Sequence, residues 1–298
     1  MILPTLKQLE YLTALAGAGH FGRAAAVANV TQSTLSAGIA ELERLLGVQL
    51  VERGARSIRF TPAGEAVLAR AHRVLREAEE LTAAAKASAK PLSGPLRLGV
   101  IPTIAPFLLP RVLPKLRAAY PDLKLYLREE TSAAACQALT RGQLDAVLLA
   151  LPYACGGVDV EPLFDDAFQV AFSEGALDGP PPFVRPDDLA PESLLLLEDG
   201  HCLRDQALAA CGRPELRADA SIVGTSLHTL IQMVDGGLGL TLVPQMAIDA
   251  GVLAGTRVQV RPLAAKNAKR VIALIWRSSS PRAAEFRMLA QVLRDVGR

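Results

Sequence analysis

Around Lys90-Pro91-Leu92-Ser93-Gly94-Pro95 the hydrophobic rhythm of this chain changes, and that change constrains its fold more than any other feature. Two prolines and a glycine within six residues break any helix and read as a hinge. Before it, apolar residues recur every three or four positions, the mark of amphipathic helices. After it, short apolar runs alternate with helical stretches. L-R-L-G-V-I, L-K-L-Y-L and L-D-A-V-L-L-A-L read as strands, separated by helices over Pro106 to Ala119 and Ser132 to Arg141. That βαβαβ order predicts an α/β class and a parallel sheet with helices on both faces. A second set follows: F-Q-V-A-F, L-L-L-L-E, a helix from Cys202, a helix over Thr225 to Gly236, L-T-L-V-P and V-Q-V-R-P-L. R-V-I-A-L-I-W-R then leads to a last helix from Pro281. The 298 residues are enough for about two domains with their own cores.

The N-terminal third has a finer grain. Residues 6–18 place Leu6, Leu9, Leu12, Leu15 and Ala16 on one helical face, and Gly17 and Gly19 end it. A short helix over Phe21 to Ala28 is followed by a tight Asn29-Val30 turn. A second helix, capped by Thr31 or Ser33, runs to about Leu46 and stops at Gly47. Its Leu35, Ile39, Leu42 and Leu46 form one buried stripe, while Ala24, Ala25 and Ala28 let the two helices cross closely. This is a helix-turn-helix, whose second helix offers Gln32, Ser33, Thr34 and Ser36 to base edges and phosphates. A turn at Gly54 between extended arms spaces Arg53, Arg56 and Arg59 as a basic wing. Residues 1–62 carry six Lys/Arg against four acids, too small an excess to bind nucleic acid alone, so affinity requires dimerisation. Beyond Pro62, Val67, Ala71, Val74, Ala78, Leu81 and Ala85 make a heptad seam that one helix cannot bury by itself. The expected organisation is a DNA-binding domain over 1–62, a linker and dimerisation helix over 63–90, and an effector domain over 91–298.

Composition excludes several classes. Net charge is +2, so global charge announces no polyanionic partner. The N-terminus M-I-L-P-T-L-K-Q-L-E lacks a basic region followed by an apolar one, and no apolar run reaches the length of a membrane span. A cytoplasmic location is expected, where cysteines are free or redox-active more often than structural staples. No C-x-x-C occurs, the four His are scattered, and neither a phosphate-binding loop nor a serine nucleophile elbow is present. No metal, cofactor or enzymatic activity is expected.

The chemistry gathers in Glu198 to Cys211, E-D-G-H-C-L-R-D-Q-A-L-A-A-C. Asp199 is placed to cap a helix beginning just before Cys202, and His201 and Arg204 supply cations beside it. Such a setting predicts a lowered thiol pKa, and a thiolate attacks peroxide to give a sulfenic acid. Cys211 lies nine residues on. In a helix that separation is roughly 13 Å along the axis, whereas a disulfide needs Cα atoms within about 7 Å, so a bond between the two must melt the helix. The plainer alternative is a pair of buried, inert cysteines. Of the others, Cys136 reads as core in an Ala-rich helix and Cys155, in Y-A-C-G-G, as an exposed loop thiol; a disulfide through Cys155 is an alternative with nothing to recommend it.

The string H-C-L-R-D-Q-A with its second cysteine resembles the peroxide-sensing members of the LysR family of transcription regulators. The stretch through L-G-V-Q-L-V-E-R and T-P-A-G resembles the DNA-binding domain of that family over some 60 residues. The likeness continues through V-I-P-T-I-A-P-F-L-L-P, the hydroxyl after E-E-T and T-S-L-H-T-L, and so covers essentially the whole chain. It implies a winged helix-turn-helix and a linker helix, then a two-lobed effector domain of the periplasmic-binding-protein type 2 fold. Lobe I would span about 91–164 and 269–298, and lobe II about 165–268. It further implies that Cys202 is peroxidatic and Cys211 resolving, and that Thr103 and Ser132 hydrogen-bond peroxide. His201, Arg204, Asp205, Arg270 and Arg277 would complete the polar network. The implied partners are promoter DNA, RNA polymerase, hydrogen peroxide as signal, a thiol reductant and further copies of this chain as a dimer of dimers. Three departures stand out. Ser33 replaces the usual Pro, Gly38, Ala40 and Glu41 sit where polar or basic residues are frequent, and Ser132 stands where Thr is common. The rival expectation is a regulator of the same family whose cleft binds a small organic anion, with Cys202 a bystander.

Overall fold

The computed structural model describes residues 3–53, 58–87, 90–175, 182–189, 194–212, 223–266 and 268–297, with the side chains of 53, 80, 83–87 and 223 outside that set. It divides into two compact units, Met1–Ala89 with Arg141–Gln143, and Lys90–Thr140 with Leu144–Arg298.

In the first unit, local chemistry sets each helix end. α1 (Leu6–Ala18) opens with a reciprocal cap: the Thr5 side chain accepts from the Gln8 amide and the Gln8 side chain from the Thr5 amide. α2 (Phe21–Val27) starts at His20, whose Nδ1 accepts the Gly22 amide at 3.0 Å. Of the two candidate caps for α3 (Gln32–Leu46) the structure uses Thr31, whose hydroxyl accepts the Thr34 amide at 3.2 Å. Gly47, at φ 68°, ends that helix. Leu12, Leu15, Leu35, Ile39 and Leu42 are fully buried together, each contributing roughly 1.5–3 kcal/mol. Gly38 has a packing reason to depart from a polar residue, since a Cβ there would lie 2.5 Å from Tyr11 Cδ2.

β1 (Val51–Arg53) pairs antiparallel with β2 (Ile58–Phe60). The Gly54 turn and Arg56 fall outside the described residues. α4 (Pro62–Ala87) then begins under Thr61, whose hydroxyl donates to the Gln49 carbonyl at 2.7 Å and accepts the Gly64 amide at 2.9 Å. A Cβ on Gly64 would collide with the Leu50 carbonyl, so the glycine of T-P-A-G lets α4 pass close to the wing. The heptad seam is divided. Val67 and Ala71 pack into this unit's own core, whereas Val74 and Leu81 stay exposed, and the Ala85 side chain lies outside the described set.

The second unit runs β3 (Gly94–Val100), α5 (Ala105–Ala119), β4 (Leu123–Glu129), α6 (Ser132–Thr140), β5 (Ala146–Leu151) and β6 (Val158–Phe172). It continues with β7 (Leu196–Leu197), α7 (Cys202–Ala210), β8 (Val223–Gly224), α8 (Leu227–Asp235), β9 (Thr241–Pro244) and α9 (Gln245–Asp249). β10 (Gln259–Pro262), β11 (Lys269–Arg277) and α10 (Ala283–Gly297) complete it. The main sheet has the order β10-β6-β11-β5-β3-β4, with β9 also paired to β6. β3 is parallel to β4 and β5, as expected. β11 enters antiparallel to both β5 and β6, so the sheet is mixed, because the returning chain re-enters from the far lobe. F-Q-V-A-F is only the end of a strand that begins at Val158; its first half is partly exposed and lacks a clean apolar alternation. L-L-L-L-E yields a two-residue β7, paired parallel with β8, Leu194 and Leu195 being buried outside any strand.

Replacing Gly64 with alanine should cost about 1–3 kcal/mol in the N-terminal unit through overpacking. Urea melts followed by helical ellipticity should show an earlier first transition for Gly64→Ala and none for Gly47→Asn, an αL cap position asparagine tolerates.

Candidate functional site

Three loops and one strand end meet at the carboxyl edge of the parallel strands, where α/β sheets place their sites. Arg270 and Asp166 face one another in register on β11 and β6. Arg270 Nε donates to Asp166 Oδ2 at 3.0 Å, Nη1 to Thr103 Oγ1 at 2.9 Å and Nη2 to the Thr103 carbonyl at 2.9 Å. The other oxygen of Asp166 accepts the Met246 amide at 2.9 Å. None of these three side chains is more than 3% exposed. The guanidinium is thus filled, which is what a buried charge requires.

Ser132 heads α6 and is equally buried. Among the described residues its hydroxyl has no hydrogen bond of ordinary geometry. It stands against the Cys202 thiol, close enough to favour the thiolate. Cys202 is the first residue of α7 and 1% exposed. The expectation of a lowered pKa is overturned: burial pushes this thiol up, and the Asp205 charge adds to that. Ser132, the Arg270 charge and the backbone at Ala150 act in the opposite sense without prevailing. The expected cations also differ. Burial pushes the His201 imidazole down, against the pull of Glu198 3.8 Å away, so it favours the neutral form. Arg204 braces the preceding loop, with Nη1 on the Leu197 carbonyl at 3.0 Å and Nε 3.2 Å from Asp199. Asp199 therefore does not cap α7, whose N-cap is His201 without a side-chain bond.

Three contributors escaped the sequence reading, Asp166 among them. Gln206 Nε2 donates to the Ala150 carbonyl at 2.9 Å and ties α7 to the end of β5. Tyr153 stands near enough that burial, then the charges of Cys202 and Asp205, push its phenol up. Gln206 lies within H-C-L-R-D-Q-A, and that string was its only signal; Asp166 and Tyr153 had none. Arg277 does not join the site. It lies seven residues along β11 from Arg270, roughly 23 Å at strand rise, and Nη1 holds the Leu139 and Leu144 carbonyls at 2.9 and 2.7 Å.

Cys211 closes α7 as its C-cap, its amide donating to the Ala207 carbonyl at 3.0 Å. Cys202 and Cys211 are both buried thiols, with the folded helix between them. Cys136 and Cys155 correct the sequence reading: they form a disulfide, with Cα atoms 5.8 Å apart. No pattern in the sequence paired them, since α6 and the β5–β6 loop meet only through the fold.

At the other unit, Gln32, Ser33 and Thr34 are exposed on the first turn of α3, and Ser36 is half-buried. The Ser33 and Thr34 hydroxyls share Thr31 Oγ1 at 2.9 and 2.8 Å. Arg59 is exposed on β2, and Arg53 lies in β1.

A winged helix-turn-helix, a long connecting helix and a two-lobed α/β domain with its polar site at strand ends define a two-part transcription regulator. The chain belongs to the LysR family. Residues 6–65 match the family's bacterial regulatory helix-turn-helix protein and residues 89–298 its LysR substrate binding domain. Within that family it is similar to a hydrogen peroxide-inducible genes activator of Dickeya chrysanthemi, 39% identical over 97% of this chain and 95% of that one. It is also similar to the regulator EstR of Acinetobacter baylyi, 41% identical over 99% and 97% of the two chains. A full-length OxyR variant from Pseudomonas aeruginosa superposes with a TM-score of 0.82 at 37% identity, covering 99% of this chain and 96% of that one. No described helix is long and apolar enough to cross a membrane.

Removing Asp166 leaves Arg270 buried and unmatched. Asp166→Ala should therefore cost about 3–5 kcal/mol in urea unfolding. The raised Cys202 pKa sets a pH signature. Folding favours the protonated thiol, so its stabilisation is complete below the ordinary thiol range and is lost as pH rises through the raised value. Between pH about 7 and about 10 the reduced wild type should lose more melting temperature than Cys202→Ala; equal losses would contradict this environment for the thiol.

Proposed function

We propose that this chain is a DNA-binding transcription regulator that senses hydrogen peroxide through a reversible Cys202–Cys211 switch. The observation that carries this reading is the placement of both thiols at the two ends of one buried helix, with Cys202 against Ser132 and the Thr103–Arg270–Asp166 chain. Hydrogen peroxide enters beside Thr103 and Ser132, whose hydroxyls exchange hydrogen bonds with its oxygens. The Cys202 thiolate attacks one oxygen, the O–O bond breaks, and the departing oxygen takes a proton to leave as water, giving the sulfenic acid. The Arg270 charge favours the thiolate, and burial restrains its reaction until a small neutral oxidant arrives. Cys211 then attacks the sulfenic sulfur, a second water leaves, and a disulfide forms. Because α7 cannot hold its ends within disulfide reach, it unwinds, and Gln206 loses the Ala150 carbonyl. His201, Arg204 and Asp205 shape the loop and helix that move.

The output is assigned to residues 1–62. Gln32, Ser33, Thr34 and Ser36 contact bases and phosphates, and Arg53, Arg56 and Arg59 contact backbone phosphate. Exposed Val74 and Leu81 on α4 pair with a second copy, and a dimer of dimers matches repeated half-sites in promoter DNA. RNA polymerase is the partner whose recruitment changes, a cytoplasmic thiol reductant resets the switch, and peroxide is a signal and not a turned-over substrate.

Mass-spectrometric thiol mapping before and after one equivalent of peroxide tests this reading. The expected product is a Cys202–Cys211 bond in the wild type, no bond in Cys202→Ser and a trapped sulfenic acid in Cys211→Ser. A Cys202→Ser protein that keeps its full transcriptional response would falsify the reading and favour a small organic anion as effector.

A further inference from the structure

The Cys136–Cys155 bond joins two segments that the described site brings separately to Cys202. Cys136 follows Ser132 by four residues on α6, so the two share one helical face, and both are buried. Cys155 lies just beyond Tyr153 in the loop leaving β5, whose end supplies the Ala150 carbonyl to Gln206. The disulfide therefore clamps the helix that presents Ser132 to the loop that carries Tyr153 near the same thiol. The two sulfurs also differ in access. Cys136 is 9% exposed and Cys155 half-buried, so a reagent of modest size reaches Cys155 first. That is the arrangement thiol–disulfide exchange uses.

We propose that Cys136 and Cys155 form a second redox site, one that equilibrates with small-molecule disulfides of the glutathione class and whose bonded form holds Ser132 against Cys202. The Cys155 thiolate attacks one sulfur of the small disulfide and expels one small thiolate, which takes up a proton. Cys136, deprotonated in turn, attacks the Cys155 sulfur of the mixed disulfide and expels the second. Two protein thiols are oxidised and one small disulfide is reduced to two thiols. Bonded, α6 presents the Ser132 hydroxyl to the Cys202 thiol; opened, α6 and the loop separate and that support weakens. The compartment's thiol balance thereby primes the response to peroxide. The exchange site stands on the geometry of Cys136 and Cys155 alone, whereas the priming rests on the peroxide reading above.

The test uses the full-length protein. First, Cys202→Ser protein, in which the peroxide switch cannot interfere, is equilibrated in buffers of graded oxidised-to-reduced glutathione ratio and mapped by alkylation and mass spectrometry. The expected result is a Cys136–Cys155 bond whose occupancy follows the ratio; thiols that never pair, or a bond indifferent to every ratio, overturns the site. Second, wild-type protein with this pair bonded or open, and Cys202 still alkylatable, receives peroxide, and loss of Cys202 alkylation is timed. Oxidation should be about fivefold faster with the pair bonded, the weight of one hydrogen bond, and Cys155→Ala should keep the slow rate at every glutathione ratio. Equal rates in the two states overturn the priming and leave the peroxide switch standing. A Cys202 that reacts in neither state overturns the peroxide reading and the priming together, while the occupancy series still decides the exchange site.

Discussion

A charge held away from water sets the terms for everything around it. Arg270 is fully buried, and an arginine cannot shed its proton to relieve that burial. The fold answers with Asp166 across the β11–β6 ladder and with the hydroxyl and carbonyl of Thr103. Those partners come from β6 and the turn after β3, and Asp166 in turn holds the start of α9. One guanidinium thus fixes the distance between strands, loop and helix, and the place where Cys202 sits follows from it. The network costs desolvation energy and returns a polar wall of defined sign near Cys202.

Against that wall the sensor faces two opposed demands. A thiol that reacts quickly wants a low pKa, while a thiol that ignores larger electrophiles wants burial. Here burial prevails, and the electrostatic help is limited to Arg270, Ser132 and the backbone at Ala150. Under the proposed reading the selectivity is steric and electrostatic together, since a buried sulfur favours a small uncharged oxidant. The same helix that buries the sulfur holds Cys211 at its other end, so the proposed switch separates the first oxidation from the second bond by a structural step.

The sequence reading recovered most of the architecture where periodicity was long or punctuation strong. α1, α3 and α4, the order β3-α5-β4-α6-β5 and the span of α7 all follow from spacing, caps and glycines. It failed where tertiary contacts decide. β6 extends back to Val158 because β11 pairs with it from Val158 to Ala167, a fact absent from the local pattern. The polar string around Cys202 was legible, yet its electrostatics were not, because burial outweighs neighbours that look cationic on paper. Arg277 shows the limit of carrying roles by resemblance, since a strand's length separates it from Arg270. Cys136 and Cys155 were illegible as a pair because their separation in sequence spans β5, and only the packing of α6 over that strand brings them together.

The length of β6 has a mechanical meaning for how the effector domain works. Its first half pairs with β11 and its second with β9 and β10, so a single ribbon is stitched into the sheets of both lobes. The pairing changes hands between Ala167 and Phe168, so a bend at that junction disturbs the ladders least, while a bend elsewhere in β6 breaks ladder hydrogen bonds. Each part of the ribbon thus stays anchored to its own ladder, and any give between the lobes is confined to one short junction of a continuous strand.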